Sequence, residues 1–303
     1  MVFLDGVGLG KEDSTVNPFF TSDIPTLKML FGGNPPSQDN ARVQSEHSTC
    51  IPLDATLGVD GLPQSGTGQT SLFTGLNAAA MIGKHFGPYP YSTLRPLIAQ
   101  HNILKVLLEA GKKPLFANAF PRRYFDYVVK HPGRMTVPAL SCMSCNIPLL
   151  RLEDLLKGNA ISADITSQGW KQLGHPEVET ISPCEAGNRI VSLLQGNDFV
   201  LFEYWMTDKA GHSRDFKQAA DSLKRLDRML EGILESLDPA QHLLLISSDH
   251  GNLEDLSTKS HTLNHVPLVL WGNNHAEFAR HILSPISKPD LTSVVTALKE
   301  FFL

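Results

Sequence analysis

The 303-residue chain lacks the features that mark membrane proteins and nucleic-acid-binding proteins. No apolar stretch approaches the roughly 20 residues that a membrane-spanning helix needs, and no run of lysine or arginine exceeds two residues. The formal net charge of −5 gives no sign of a surface for nucleic acid or anionic lipid. The first residues also lack the basic and apolar regions of a signal peptide. We therefore expect a cytoplasmic protein that binds neither nucleic acid nor membranes.

Cysteine is scarce, which limits both disulfide and zinc chemistry. The four cysteines are Cys50, Cys142, Cys145 and Cys184. Cys142 and Cys145 have CxxC spacing, but a zinc ribbon needs a second such pair, and the sequence has none. A redox pair would open a helix after a strand, whereas Pro138 and Pro148 surround this one. The pattern favours small structural thiols over a redox pair.

Short apolar runs alternate with longer helical patterns along most of the chain. This alternation is typical of a parallel sheet covered by helices on both faces. Strands are predicted at Val2–Leu4, Thr49–Leu53, Pro114–Asn118, Phe199–Tyr204, Leu243–Ser247 and Val266–Trp271. Helices are predicted at Thr67–Gly75, Asn102–Ala110, Cys184–Leu194, Lys217–Leu237 and Leu291–Phe302. The sequence therefore predicts a doubly wound, mostly parallel α/β fold.

Residues 124–183 interrupt the alternation, with mixed patterns and little strand signal. We interpret this segment as a small cap that is inserted at the edge of the sheet. Residues 1–123 and 184–303 would then form one α/β core.

Residue types that bind metal ions recur where predicted strands end. Asp5 follows Val2–Leu4, and Asp249 with His250 follows Leu243–Ser247. In open α/β sheets, ligands bind at the carboxyl ends of the strands. Asp5 alone is explained as well by an Asx turn. Asp249 and His250 favour a functional interpretation, because buried polar groups at a strand end need a partner.

Ser65 begins the segment SGTGQTSLFTG, in which small residues give way to an apolar helix. A serine at such a junction faces unpaired backbone N–H groups and the positive end of the helix dipole. This environment favours a phosphate group and an ionised hydroxyl. The alternative is an ordinary helix cap in a glycine-rich turn.

Asp208 and His212 have i,i+4 spacing, which puts both side chains on one face of a helical turn. Two residues of one helix must lie on the same face to bind one ion. The alternative is an Asp–His pair on a helix that binds no metal. His261 precedes the predicted strand Val266–Trp271 and is the last candidate ligand. His265 is its rival, but it lies against the strand, and we interpret it as a sheet-edge residue.

As a set, these segments resemble the alkaline phosphatase superfamily, and within it the branch of cofactor-independent phosphoglycerate mutase and phosphopentomutase. Two segments resemble the closing motifs of that mutase. They are Asp249-His250-Gly251-Asn252 with Glu254, and His261-Thr262 with Asn264. The segment from Ser65 to Gly75 has the length of the nucleophile segment of the superfamily. Asp5-Gly6 resembles the opening motif of the superfamily. The resemblance covers the sheet core and not the cap.

The resemblance implies a metalloenzyme with two divalent metal ions, Mn²⁺ or Zn²⁺, in the α/β core. It implies that Asp208, His212 and His261 bind one ion. It implies that the other ion is bound by Asp5, Asp249, His250 and Ser65. Ser65 would be the nucleophile that forms a phosphoenzyme with a small phosphorylated substrate.

The chain departs from the mutase pattern at two points. Gln69 and Ser71 replace the histidine and asparagine of the mutase nucleophile helix. The segment between Gly75 and Asp208 is also too short to hold the large second domain of the mutase. We therefore expect a phosphatase or phosphodiesterase. The alternatives are an intramolecular phosphomutase and a metal-binding protein without catalytic activity.

Positively charged side chains for substrate binding are predicted from position alone. The candidates are Lys84, Arg122, Arg123 and Lys209. Arg122 and Arg123 follow the predicted strand Pro114–Asn118, so they are the preferred phosphate clamp. A solvated pair at the start of a helix is the alternative.

Overall fold

The computed structural model describes residues 1–284 and 288–302. Within these residues the strands are β1 (Val2–Leu4), β2 (Val43–Gln44), β3 (Ser48–Leu53), β4 (Pro114–Phe116), β5 (Phe199–Tyr204), β6 (Leu243–Ser248) and β7 (Val266–Gly272). They form one sheet in the order β2-β3-β7-β6-β1-β5-β4. The predicted, mostly parallel α/β fold is confirmed, and each predicted strand is present within a few residues of its expected bounds.

The described α-helices cover both faces of the sheet. They are α1 (Pro25–Leu30), α2 (Ser65–Thr74), α3 (Ala78–Ile82), α4 (Arg95–Gln100), α5 (Ile103–Glu109), α6 (Arg122–Lys130), α7 (Val137–Ser144), α8 (Leu152–Leu156), α9 (Gln168–Gln172), α10 (Pro183–Ser192), α11 (Met206–Ser213), α12 (Phe216–Ser236), α13 (His275–Leu283) and α14 (Ser293–Phe302). None of them is both long enough and apolar enough to cross a bilayer.

Side chains alternate along the central strands between two hydrophobic cores, because successive residues of a strand point to opposite faces. On β1, Val2 and Leu4 pack into the core beneath α10 and α12, whereas Phe3 packs into the core beneath α2, α5 and α14. The ring of Phe3 meets that of Phe73 on α2 edge-on, at 5.2 Å between centroids. The sheet therefore has helices on both faces, as the alternation of patterns predicts.

The direction of the strands brings separate segments to one edge of the sheet. β4, β5, β1 and β6 are parallel neighbours, and β3 runs the same way because both β6 and β3 pair antiparallel with β7. The residues that follow β1, β5 and β6 therefore meet at one edge. Because β7 is reversed, the residues that precede β7 lie at that same edge.

Residues 124–183 contain most of α6 and all of α7, α8 and α9. Short bridges pair Asn118 with Ile161 and Ala119 with Leu150, so the segment extends the sheet beyond the end of β4. Val137 and Cys142 of α7 belong to the core beneath α2 and α5. The division into a core and an inserted cap stays a prediction.

The cysteines carry free thiols in the structure. Cys142 lies on α7 and Cys145 directly follows that helix. Burial raises the pKa of the Cys142 thiol to about 12, and it raises the pKa of Cys50 to the same value. Such thiols hold their protons at neutral pH, which fits the structural interpretation better than a redox pair.

Candidate functional site

The first group of candidate metal ligands, Asp5, Asp249 and His250, lies at the ends of β1 and β6. One ligand atom from each of the three lies within 4.8 Å of the others. Nε2 of His250 is 3.3 Å from Oδ1 of Asp5 and 3.6 Å from Oδ2 of Asp249. Both carboxylate oxygens are buried and accept no hydrogen bond from the residues that the structure describes. Buried acceptors without a donor are costly in free energy, so this group is suited to a divalent cation.

The second group consists of Asp208, His212 and His261, whose ligand atoms also lie within 4.8 Å of one another. Asp208 and His212 are one turn apart on α11, and Oδ2 of Asp208 is 3.3 Å from Nε2 of His212. Nε2 of His261 is 3.6 Å from Oδ1 of Asp208 and 3.3 Å from Nε2 of His212.

Backbone carbonyl groups orient both histidines of the second group. Nδ1 of His261 donates to the carbonyl oxygen of Pro63 at 2.7 Å, and Nδ1 of His212 donates to that of Lys259 at 2.8 Å. A proton on Nδ1 leaves the lone pair of Nε2 free, and metal-binding histidines are usually held in this way. The second group therefore also fits a divalent ion.

The electrostatics of the first group favour added positive charge. Burial raises the pKa of Asp5, and it raises the pKa of Asp249 well above its usual value, with the neighbouring Asp5 charge acting in the same direction. Burial by itself would lower the pKa of His250, but the charges of Asp249 and Asp5 outweigh it and raise that pKa to about 10. A proton on His250 thus offsets negative charge that a bound cation would neutralise.

His261 differs from His250 in its protonation. Burial and then the charge of His250 lower the pKa of His261 to about 4. The imidazole is therefore neutral at physiological pH, which is the form that binds metal ions.

Ser65 lies beside the first group, at the start of α2. It is the first helical residue, after Gln64 at the N-cap position, whose side chain makes no capping hydrogen bond. Oγ of Ser65 is 3.0 Å from Nε2 of His250. Gln69, one turn further along α2, donates from Nε2 to Oδ2 of Asp5 at 3.4 Å. The Ser65 hydroxyl thus lies both at the positive end of α2 and beside the candidate ligands of one ion.

The two groups are in direct contact. The rings of His250 and His261 stack with 3.8 Å between centroids and 15° between planes. Nδ2 of Asn252 donates to Oδ1 of Asp208 at 2.6 Å, so the loop after β6 also touches the second group. The structure therefore brings together all of the candidate ligands that the sequence singles out.

His265, which was interpreted as a sheet-edge residue, and Lys209, a predicted substrate-binding residue, both lie at the surface. His265 is exposed and lines a separate cavity of about 430 Å³ with Leu9 and Arg42. Lys209 is exposed, with Nζ 5.9 Å from the ring centre of Trp205.

The remaining predicted substrate-binding residues are exposed as well. Lys84 lies 5.5 Å from the ring centre of Tyr91. Arg122 and Arg123 begin α6. A role for these side chains in binding phosphate stays a prediction.

One buried carboxyl group near the candidate ligands was not predicted from the sequence. Glu203 is only 6% exposed and lies in β5. Burial raises its pKa to about 8, with the charges of Asp5 and Asp249 adding to the effect. The signal in the sequence was an acidic residue inside the apolar run Phe199–Tyr204, which could have indicated a buried carboxyl group.

Two adjacent groups of candidate metal ligands lie at one edge of this sheet, and comparisons with known proteins identify the family that the chain resembles. A family model described as the metalloenzyme superfamily matches residues 176–295. A 2,3-bisphosphoglycerate-independent phosphoglycerate mutase of Methanococcus aeolicus is 24% identical over 152 residues, which cover 47% of this chain and 37% of that protein. A phosphopentomutase of Elusimicrobium minutum is 26% identical over 220 residues, which cover 69% of this chain and 52% of that protein.

Among solved structures, a phosphoglycerate mutase of Leishmania mexicana at low cobalt concentration matches with a TM-score of 0.50 and 10% identity, covering 99% of this chain and 95% of that chain. This match shows similarity of fold. The predicted resemblance to a metalloenzyme family that includes phosphoglycerate mutase and phosphopentomutase is confirmed. The sequence matches span between about a third and a half of the two mutase relatives.

Proposed function

We propose that the chain catalyses phosphoryl transfer with two divalent metal ions and with Ser65 as the nucleophile, and that the net reaction is hydrolysis of a phosphate ester. The observation that carries the proposal is the position of Oγ of Ser65. It lies at the positive end of α2 and 3.0 Å from His250, beside carboxylate oxygens that have no hydrogen-bond partner within residues 1–284 and 288–302.

Asp208, His212 and His261 would hold one ion, and Asp5, Asp249, His250 and Oγ of Ser65 would hold the other. The donor set of imidazoles and carboxylates suits Mn²⁺ or Zn²⁺. Bound ions supply positive charge, which lowers the pKa of a coordinated hydroxyl and stabilises the transferring phosphoryl group.

Ser65 then carries the covalent step. Its Oγ forms a bond to phosphorus in line with the ester oxygen that leaves, which gives a phosphoserine. Water then attacks that phosphorus, releases inorganic phosphate or a monoester, and restores the serine hydroxyl. The imidazole of His261 is neutral, and its Nε2 lone pair would hold one of the ions.

The contacts of residues 124–183 favour hydrolysis over isomerisation. A mutase must hold its dephosphorylated intermediate and exclude water, which requires a closing domain with many polar contacts to the substrate. Arg134 donates to the Tyr127 hydroxyl at 2.7 Å, and the Arg151 guanidinium lies 3.8 Å from the ring centre of Phe125. These basic groups are engaged by aromatic side chains of α6 rather than by the candidate site.

An intramolecular phosphomutase is the second candidate, and the names of the two relatives favour it. The test incubates the Mn²⁺-loaded protein with 3-phosphoglycerate, with ribose 1-phosphate, and with a panel of phosphate monoesters and diesters. Isomer formation and free phosphate are measured together. We expect release of phosphate from monoesters, or of a monoester from diesters. Rapid isomerisation without phosphate release would replace hydrolysis by the mutase reaction.

A metal-binding protein without catalytic activity is the third candidate. It predicts two bound ions but no turnover with any of these substrates.

The proposed hydrolase function also includes a small phosphorylated substrate and a cytoplasmic location. Cell fractionation with an antibody to the native chain tests the location, and recovery in the membrane fraction would contradict it.

A further inference from the structure

The side chain of Glu254 is almost completely buried, at 1% exposure, in the loop that follows β6. Its carboxylate accepts four hydrogen bonds, two on each oxygen. The donors are the N–H groups of Gly8 (2.9 Å) and Asn252 (2.8 Å) to Oε2, and the side chains of Thr262 and Asn264 (2.9 Å) to Oε1. All acceptor positions of the carboxylate are thus directed at protein donors.

The four donors belong to two loops that carry candidate metal ligands: Gly8 to the loop after β1, and Asn252, Thr262 and Asn264 to the long loop between β6 and β7. Gly8 lies on the loop that begins with Asp5. Asn252 lies on the loop that begins with Asp249 and His250, and Thr262 directly follows His261. A single side chain therefore ties together loops from both ligand groups.

Asn252 extends this network to the remaining ligand segment. Its backbone N–H donates to Glu254, and its side chain donates to Oδ1 of Asp208 at 2.6 Å and to the Asp208 carbonyl oxygen at 3.1 Å. Glu254 is thereby connected to α11, although the two share no direct hydrogen bond. Networks of this kind restrain the geometry of the groups that they join.

The surroundings leave no space for Glu254 to move. A Cβ atom added at Gly8 would lie 2.3 Å from Oε1 of Glu254, and one added at Gly251 would lie 2.2 Å from the same oxygen. Glycine at both positions allows the backbone to close around the carboxylate. The side chain is therefore fixed both by hydrogen bonds and by packing.

We infer that Glu254 is a positioning residue that holds the two ligand groups in their relative places, so that its loss weakens the binding of both metal ions. The inference rests on the proposed dinuclear site. It distinguishes Glu254 from a metal ligand, because loss of a ligand would weaken chiefly the ion that it binds. It also distinguishes Glu254 from an ordinary buried residue, because such a residue affects stability without changing the affinity for metal.

The test measures Mn²⁺ binding to metal-stripped protein by isothermal titration calorimetry, which does not depend on turnover. Glu254→Gln keeps the volume of the side chain but replaces one acceptor oxygen by an amide that donates. Two of the four donors then face another donor. We expect both Mn²⁺ dissociation constants to rise by about 10–100-fold, the range typical for groups that orient metal ligands.

Asp227→Asn is the matched control. Asp227 is also a buried carboxylate, and it accepts a hydrogen bond from the Leu27 N–H at 2.8 Å where α12 meets α1. Its substitution should lower stability and leave both dissociation constants unchanged. If Glu254→Gln does not fold, Thr262→Val removes one donor with little change in volume and should weaken both ions by a smaller factor.

The outcomes separate this inference from the proposed function. Two ions bound by wild type and bound equally well by the Glu254 and Thr262 variants would overturn the inference alone. A loss confined to one ion would also overturn it, because Glu254 would then act on a single group. Wild-type protein that binds fewer than two Mn²⁺ ions would instead overturn the dinuclear site itself.

Discussion

Oγ of Ser65 lies 3.0 Å from Nε2 of His250, although 185 positions of sequence separate the two residues. The contact joins the start of α2 to the end of β6. It places a hydroxyl group against an imidazole that is itself 3.3 Å from Asp5. A hydroxyl in this environment is a candidate nucleophile as well as a candidate ligand, and the two roles are separable by experiment.

Ser65→Ala should abolish phosphoryl transfer and leave the fold and most of the Mn²⁺ affinity intact. The variant removes the attacking atom but only one of the expected ligands. We expect turnover to fall by at least about 10³-fold, as for other nucleophile variants. Steady-state phosphate release and calorimetric Mn²⁺ binding measure the two effects.

Ser71→Ala is the control for the nucleophile experiment, because Ser71 is also a buried serine of α2. Its Oγ donates to the Thr67 carbonyl oxygen and accepts from the Ala78 N–H, so this variant should lose some stability but keep turnover. Near-full activity of Ser65→Ala would mean that water attacks the substrate directly and that no phosphoserine forms.

His261→Ala should remove one metal ion, whereas His265→Ala should remove none. His261 faces Asp208 and His212, while His265 is exposed beside another cavity. In His261→Ala we expect the affinity for one Mn²⁺ ion to fall by more than about 10-fold, since even the loss of a residue that hydrogen-bonds to a metal ligand has an effect of that size. Metal content after dialysis, measured by plasma mass spectrometry, gives the stoichiometry. Loss of an ion in His265→Ala, with wild-type stoichiometry in His261→Ala, would reverse the assignment.

The central sheet could be predicted closely because its strands are short apolar runs with clear ends. β1 and β5 have the predicted bounds, Val2–Leu4 and Phe199–Tyr204. The reversed direction of β7 could not be predicted, because a strand has the same apolar pattern in either direction. Helix α13 was also missed, although the turn-forming residues Gly272, Asn273 and Asn274 separate it from β7.

The candidate ligands could be predicted because each one borders a strand or shares a helical turn. The roles of buried partners could not be predicted in this way. Glu254 receives one of its four hydrogen bonds from the loop after β1 and three from its own loop between β6 and β7, and the meeting of these two loops depends on the sheet order. The environment of Glu203 likewise depends on Asp5 and Asp249, which follow β1 and β6 and affect Glu203 only once the sheet has formed.

Gly232→Ala should destabilise the protein, although alanine is the better helix former by about 1 kcal/mol. A Cβ atom at this position of α12 would lie 2.1 Å from the Cys184 carbonyl oxygen on α10. The two helices would have to separate, and overpacking of this kind typically costs about 1–3 kcal/mol. Urea unfolding should therefore show a lower free energy of unfolding.

Gly196→Ala is the control for the helix contact, because a Cβ atom there would meet nothing within 4 Å. This variant should be as stable as wild type or slightly more stable. Equal stability of Gly232→Ala and wild type would mean that α10 and α12 can move apart without loss of packing.

Glu203 should make the stability of the metal-free protein depend on pH. Burial, and then the charges of Asp5 and Asp249, raise the pKa of its carboxyl group from 4.5 to about 8 in the folded state. Between these two values the folded protein holds a proton that the unfolded chain has released. Stability from this group is therefore fully present below pH 4.5 and is lost as the pH rises toward 8.

Glu203→Gln removes this titration and keeps the volume of the side chain. The free energy of unfolding of metal-free wild type, minus that of the variant, should fall as the pH rises from 5 to 8, by at most about 1.4 kcal/mol per pH unit. Titrations of Asp5, Asp249 and His250 occur in both proteins and largely cancel in the difference. Urea unfolding in the presence of a chelator, at several pH values, measures it. A difference that stays constant across this range would show that the Glu203 carboxyl group is already ionised in the folded protein.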